Sequence, residues 1–217
     1  MPERSRSGVV SRPCLVVAPV SLLVNWKREL EKFLDGSQGK TVTRYGAHLA
    51  QYRLTGSDVP AELRASGVRK ALRDGFASDA AFVLTTYETL RDFQLSLARE
   101  RWGIVVCDEA QKIKTPGAMV TRAAKALQAQ FRIACTGTPV ENTLADLWCL
   151  FDFFQPGLLG SLREFTATFR REIELREEGH EERVEALRSQ ISPWVLRRMK
   201  QDVAELPPKK EEPCVLP

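Results

Sequence analysis

The chain has 217 residues, 43% of them hydrophobic and 28% charged, with a formal net charge of +4 and a pI near 8.9. That size and apolar content suit one large globular domain, or a domain and a half, and the mild basic balance permits a polyanionic partner without specifying one. No apolar run reaches the length of a membrane span, and the polar stretch from Met1 to Arg12 is no signal peptide.

Cysteines at 14, 107, 135, 149 and 214 show neither CxxC nor metal-ligand spacing. They read as small buried hydrophobes in a reducing compartment. His48 and His180 are far apart and read as surface residues, so a zinc site and a serine-type triad are both excluded.

In chain order, residues 1–12 form a polar, frayed lead. Cys14 to Pro19 is a buried-strand run ended by proline. Ser21 offers an N-cap for a helix with Leu22, Leu23, Trp26, Leu30, Phe33 and Leu34 on one face. Further strands are expected at 41–45, 81–86, 104–107 and 131–136. An amphipathic helix carrying Leu63, Val68, Leu72 and Phe76 is expected within 47–79, and others at 87–100 and 117–129. Short apolar strands alternating with helices predict an α/β fold with a mostly parallel sheet. Beyond Pro139 the pattern is helical, at 144–154, 161–178, 181–191 and 194–204. Seven glutamates against two arginines between Glu172 and Glu185 mark a solvated face that is a poor surface for nucleic acid.

The stretch Trp102-Gly-Ile-Val-Val-Cys-Asp-Glu-Ala-Gln-Lys-Ile-Lys114 carries the densest chemistry. Four apolar residues run into two carboxylates, which suits a strand buried on both faces with acids at its carboxyl end, where α/β proteins bind ligands. Beside a phosphate-bound magnesium ion, one acid would hold the metal and the other would orient a water. A solvated loop with a helix N-cap explains the same pair.

Taken together, the motifs resemble the first lobe of the SWI/SNF-type DNA-dependent ATPases, within the superfamily-two helicase-like translocases. Leu15-Val-Val-Ala-Pro-Val-Ser-Leu-Leu-Val-Asn-Trp-Lys-Arg-Glu29 resembles motif Ia and Val83-Leu-Thr-Thr-Tyr-Glu-Thr-Leu90 resembles motif Ib. Asp108-Glu-Ala-Gln111 resembles motif II in its DEAQ form. Thr136-Gly-Thr-Pro-Val-Glu-Asn142, followed by Leu147-Trp148 and Phe151-Asp-Phe-Phe-Gln-Pro156, resembles motif III and its extension. Leu196-Arg-Arg-Met-Lys200 and Leu206-Pro-Pro-Lys209 resemble the box that closes the lobe.

The resemblance implies a RecA-like three-layer domain over 13–155, incomplete on its N-terminal side, with a helical extension at 156–206 and a linker at 207–217. It implies that Asp108 holds Mg²⁺ through water, that Glu109 polarises the attacking water, and that Thr136, Gly137 and Thr138 couple nucleotide to DNA through Gln111. Contacts to the phosphates of double-stranded DNA would come from Pro19, Ser21, Asn25, Thr85, Thr86, Tyr87, Lys112, Lys114, Arg197 and Arg198. For Ser21 a helix cap, for Trp26 a core position and for Lys112 and Lys114 plain solvation are the competing readings. In the family a Gly-Lys-Thr phosphate loop precedes motif Ia and a second lobe with an arginine finger follows. Residues 1–13 hold only Gly8, and Gly39-Lys40-Thr41 lacks the earlier glycine and precedes a strand.

The expectation is therefore a fragment of an ATP-driven double-stranded DNA translocase or remodeller, with ATP and Mg²⁺ as cofactors of the parent and weak or absent binding here. Without the strand that leads into the phosphate loop in the family, the strands of motifs II and III would either pair directly or leave a gap, with reduced stability or self-association through unpaired edges. The alternative is a non-enzymatic module that binds DNA or a partner. The setting would be the bacterial cytoplasm, near the nucleoid, or a eukaryotic nucleus.

Overall fold

The computed structural model describes residues 12–34, 39–78, 80–137, 143–169 and 180–198. The chain forms two compact units, Met1–Thr168 and Phe169–Pro217. In chain order the first unit has β1 (Cys14–Val17), α1 (Val20–Phe33), β2 (Thr41–Thr43), β3 (Arg53–Thr55), α2 (Ala61–Ala65), β4 (Lys70–Leu72) and β5 (Phe82–Thr85). It continues with α3 (Tyr87–Asp92), α4 (Gln94–Arg99), β6 (Arg101–Asp108), α5 (Met119–Lys125), β7 (Gln128–Cys135), α6 (Leu144–Phe154) and α7, which begins at Leu162.

Five strands make a parallel sheet in the order β2-β5-β1-β6-β7. Burial on both faces is why β1, β5 and the end of β6 read as near-continuous apolar runs. Leu15, Val17, Val83, Val105 and Cys107 point into a large core with Leu90, Phe93, Leu97, Ala123, Leu150 and Phe153 from α3 to α6. Val16, Leu84 and Val106 point the other way and meet Leu23, with Leu22, Trp26 and Leu30 of α1 packed around them. This is the expected three-layer α/β architecture.

From β1 the chain crosses to the edge strand β2, comes back through β5, and then passes to β6 and β7 on the other side, so the switch point lies between β1 and β6. Val17, Thr85 and Cys107 are level across the sheet, and Asp108 lies opposite Cys135. The carboxyl ends of β1, β6 and β7 therefore converge on one edge, the position where open α/β sheets place ligands. Gly103 allows β6 to start close to the preceding chain, because a Cβ there would lie 2.9 Å from the Arg12 carbonyl oxygen. Its N–H donates to the Pro13 carbonyl at 2.9 Å. Where a gap or direct pairing was expected between the motif II and motif III strands, β6 and β7 pair directly. On the face of these two strands away from the main core, Phe131 is 61% exposed and Ile104 40%.

Several local expectations are corrected. The described residues of segment 47–79 hold no long helix: β3 and β4 pair as an antiparallel hairpin around the short α2, and Leu72 is a strand residue. Buried Arg44 ties this insert to the sheet, donating from Nε to the Phe76 carbonyl (2.8 Å) and from Nη2 to the Tyr52 hydroxyl (3.2 Å). Ser21 is not the cap of α1, which starts at Val20 with Pro19 in the cap position and no side-chain bond. Phe33 is 71% exposed, with Lys32 over its ring. The 87–100 helix is two short ones broken at Phe93. In the second unit α8 (His180–Ile191) ends in the 3₁₀ turn Ser192–Trp194, and residues 195–198 are not helical as expected.

Burial pushes the Cys14 thiol up to about 11 and the Cys107 thiol up to about 12, from an ordinary value of 9.0. Neutral thiols then favour the folded state below pH 9, and that contribution is lost as pH rises through 11 and 12. The melting temperature should fall across this window and fall less steeply in a Cys14→Ala chain. Equal slopes for the two proteins would contradict the assignment.

Candidate active site at the carboxyl edge of the sheet

β6 delivers Asp108, half-buried, at its last position. The chain then reverses through Glu109, which adopts the left-handed conformation (φ 53°, ψ 50°) and is the only non-glycine among the described residues to do so. A side chain rarely tolerates that region, and such outliers cluster where geometry serves a site. The 3₁₀ turn Ala110–Ile113 follows, pinned by buried Ala110 and Ile113, and leaves Gln111 half-buried and Lys112 exposed.

The polar groups form two connected sets. In one, the Thr136 hydroxyl at the end of β7 donates to Gln111 Oε1 (2.9 Å), and Gln111 Nε2 donates to Glu109 Oε2 (2.6 Å). Glu109 thus has one oxygen fixed by a relay from the neighbouring strand. In the other, Asp108 Oδ1 accepts from the Glu109 backbone N–H (2.9 Å) and Oδ2 accepts from the Trp26 indole N–H (2.8 Å). The Tyr87 hydroxyl donates to the Asp108 carbonyl oxygen (2.7 Å). Burial, the largest cause, holds the Tyr87 phenol well above its ordinary range, so it stays a neutral donor.

Asp108, Glu109, Gln111 and Thr136 are therefore brought together as the sequence suggested, with exposed Gly137 next in the chain. Thr138 lies outside the described residues. Of the residues proposed to touch DNA, Pro19 is half-buried, while Ser21, Asn25 and Lys112 are exposed on the first unit. Arg197 and Arg198 are exposed on the second unit.

Four of the residues named for DNA contact have side chains committed inward. The Thr85 hydroxyl donates to the Arg44 carbonyl at 2.6 Å. Thr86 caps α3 by accepting from the Thr89 N–H, at 5% exposure. Tyr87 is 5% exposed and holds Asp108. Lys114 pairs with the buried Asp146 of α6 at 3.6 Å and so anchors the turn. The sequence missed these roles because hydroxyl and ammonium groups at a motif serve core and ligand equally well. Trp26 had a usable signal: a packed indole needs an acceptor for its N–H.

No group of three or more His, Cys, Asp or Glu that could hold a metal occurs among the described residues. Among the described residues Asp108 accepts one bond on each oxygen, leaving acceptor capacity on both. That donor set fits a hydrated magnesium ion, which keeps its waters and relies on one or two carboxylates plus substrate phosphates.

A parallel sheet with helices on both sides, an acid pair ending one strand and a hydroxyl ending the next, defines the first RecA-like lobe of a superfamily-two ATPase. Comparison with known proteins narrows this: the chain belongs to the SNF2-related domain family, whose profile matches residues 2–217. It is 52% identical over 200 residues to the Zorya protein ZorD of Escherichia coli O139:H28, covering 92% of this chain and 18% of that protein. Identity is 34% over 214 residues to the putative ATP-dependent helicase/translocase YwqA of Bacillus subtilis, covering 97% of this chain and 21% of that protein. Among solved structures it resembles the Sulfolobus solfataricus SWI2/SNF2 ATPase core in complex with dsDNA, with a TM-score of 0.66 and 34% identity. That match covers 88% of this chain and 34% of the other. The chain thus spans only a minor part of each relative.

Removing the Tyr87 hydroxyl strands the Asp108 carbonyl in a largely buried setting. Tyr87→Phe should cost about 1–3 kcal/mol in urea unfolding. Wild-type stability would show that the bond contributes nothing net.

Proposed function

We propose that this chain is the ATP-hydrolysing first lobe of a larger double-stranded DNA translocase or remodeller. The observation that carries this is the Thr136–Gln111–Glu109 relay beside a tethered Asp108. In-line transfer of a phosphoryl group to water needs its charge neutralised and the water oriented. Magnesium, when bound with ATP, supplies the charge neutralisation. Asp108 would hold its water shell, Glu109 would orient the attacking water through the oxygen that the relay does not use, and Gln111 would keep that carboxylate in place. The relatives, a putative ATP-dependent helicase/translocase and an ATPase core in complex with double-stranded DNA, support the reading.

DNA would run over exposed Ser21, Asn25 and Lys112 of the first unit; Arg197 and Arg198, exposed on the second unit, are candidate phosphate contacts of that unit by itself. Such contacts go to phosphates and place a duplex without reading sequence. The Asp108–Glu109 edge is half of a nucleotide site, because no Gly-Lys-Thr loop opens a helix anywhere in these 217 residues. Lys40 sits before β2, at the opposite edge of the sheet from Asp108. The open edge of β7 is where the isolated chain would self-associate.

The complete protein carrying this lobe should hydrolyse ATP faster with duplex DNA, and Glu109→Gln should lower kcat by about 10²–10⁴. The 217-residue chain alone should show negligible turnover. DNA-stimulated hydrolysis by the isolated chain, or a Glu109→Gln protein with wild-type kcat, would overturn the assignment.

A further inference from the structure

The bond from Trp26 to Asp108 joins residues 82 positions apart across the switch point of the sheet. Trp26 lies on α1, which follows β1, while Asp108 ends β6, the strand paired with β1. The indole is half-buried against Val16, Leu23, Leu84 and Val106, so its ring plane is fixed by packing before the hydrogen bond is considered. The N–H has one direction to point and the carboxylate lies 2.8 Å along it. A donor to a carboxylate is among the stronger hydrogen bonds. Among the described residues, the Asp108 side chain is otherwise held only by the adjacent Glu109 N–H on the other oxygen.

We propose that Trp26 is a positioning residue for ATP hydrolysis: its indole N–H fixes the Asp108 carboxylate in the orientation that meets the hydrated magnesium of the bound nucleotide. This rests on the functional reading above. Trp26 touches neither nucleotide nor metal, and an indole has no acceptor to offer either. Its action is on Asp108 alone. Loss of the N–H leaves one oxygen free to swing, so the effect falls on turnover and on magnesium dependence rather than on nucleotide affinity.

The decisive variant is Trp26→3-benzothienylalanine, which keeps the bicyclic ring and replaces the N–H by sulfur. Trp26→Phe serves as the variant that also loses packing. In the complete ATPase, the benzothienyl protein should show kcat lower by about tenfold, the size expected for one hydrogen bond to a charged group. It should need more Mg²⁺ for half-maximal rate and keep its KM for ATP within about twofold. In the 217-residue chain, the Trp26 indole proton should exchange with solvent about tenfold faster after Asp108→Ala, with the Trp102 indole, bound to the Leu97 carbonyl, as an unaffected control. Wild-type kcat and Mg²⁺ dependence in the benzothienyl protein, or an indole proton indifferent to Asp108→Ala, would overturn the proposal. A wild-type complete protein that hydrolyses no ATP would instead defeat the functional reading, while the exchange result would still report on the bond.

Discussion

The register between β1, β6 and β7 is the constraint from which the rest follows. Because Val17 aligns with Cys107 and Asp108 with Cys135, the chain leaves the sheet at one level on three adjacent strands. That brings the helix after β1, the turn after β6 and the hydroxyl after β7 within hydrogen-bonding reach. Shifting β6 by one residue would exchange its two faces, putting Val105 and Cys107 where Val106 now packs and turning Asp108 away from its partners. The apolar alternation that specifies the core therefore also specifies the site.

Within that frame the two carboxylates are held differently. Asp108 is fixed from three directions: by α1 through Trp26, by its own turn through the Glu109 N–H, and by α3 through Tyr87 at the backbone. Glu109 is fixed by a side-chain relay ending at Thr136, and its backbone sits in a conformation that side chains disfavour. A strained residue at the end of a two-step relay is easier to displace than a triply held one. The division suits an arrangement in which Asp108 is permanent scaffolding and Glu109 is the adjustable group. Lys114 and Cys149 bind the far end of the turn to α6, so that helix shares control of the Glu109 position.

The strands were legible because a doubly covered parallel strand must be apolar at consecutive positions, and Leu15–Val17, Val83–Leu84 and Val105–Cys107 are. The acid pair followed from its place at a strand's carboxyl end, whereas the strand order β2-β5-β1-β6-β7 rests on pairings that no local pattern reveals. The 47–79 insert was misread because Leu63, Val68, Leu72 and Phe76 fit a helical spacing, while the hairpin depends on a pairing between Arg53–Thr55 and Lys70–Leu72 that no local pattern reveals. Buried Arg44 was invisible for the same reason: its partners, Phe76 and Tyr52, are distant in sequence. The motif Ib hydroxyls were assigned outward because composition does not state direction. Thr85 and Tyr87 point in, toward Arg44 and Asp108.

The central claim is that Gln111 holds Glu109 in register with Thr136, so that the state of the motif III strand end reaches the attacking water. The most direct measurement is the ratio of DNA-stimulated to unstimulated ATP hydrolysis by the complete protein carrying Gln111→Ala. A ratio near one with DNA affinity unchanged is expected, since Gln111 is half-buried and bonded inward. A ratio equal to that of the wild type would contradict it.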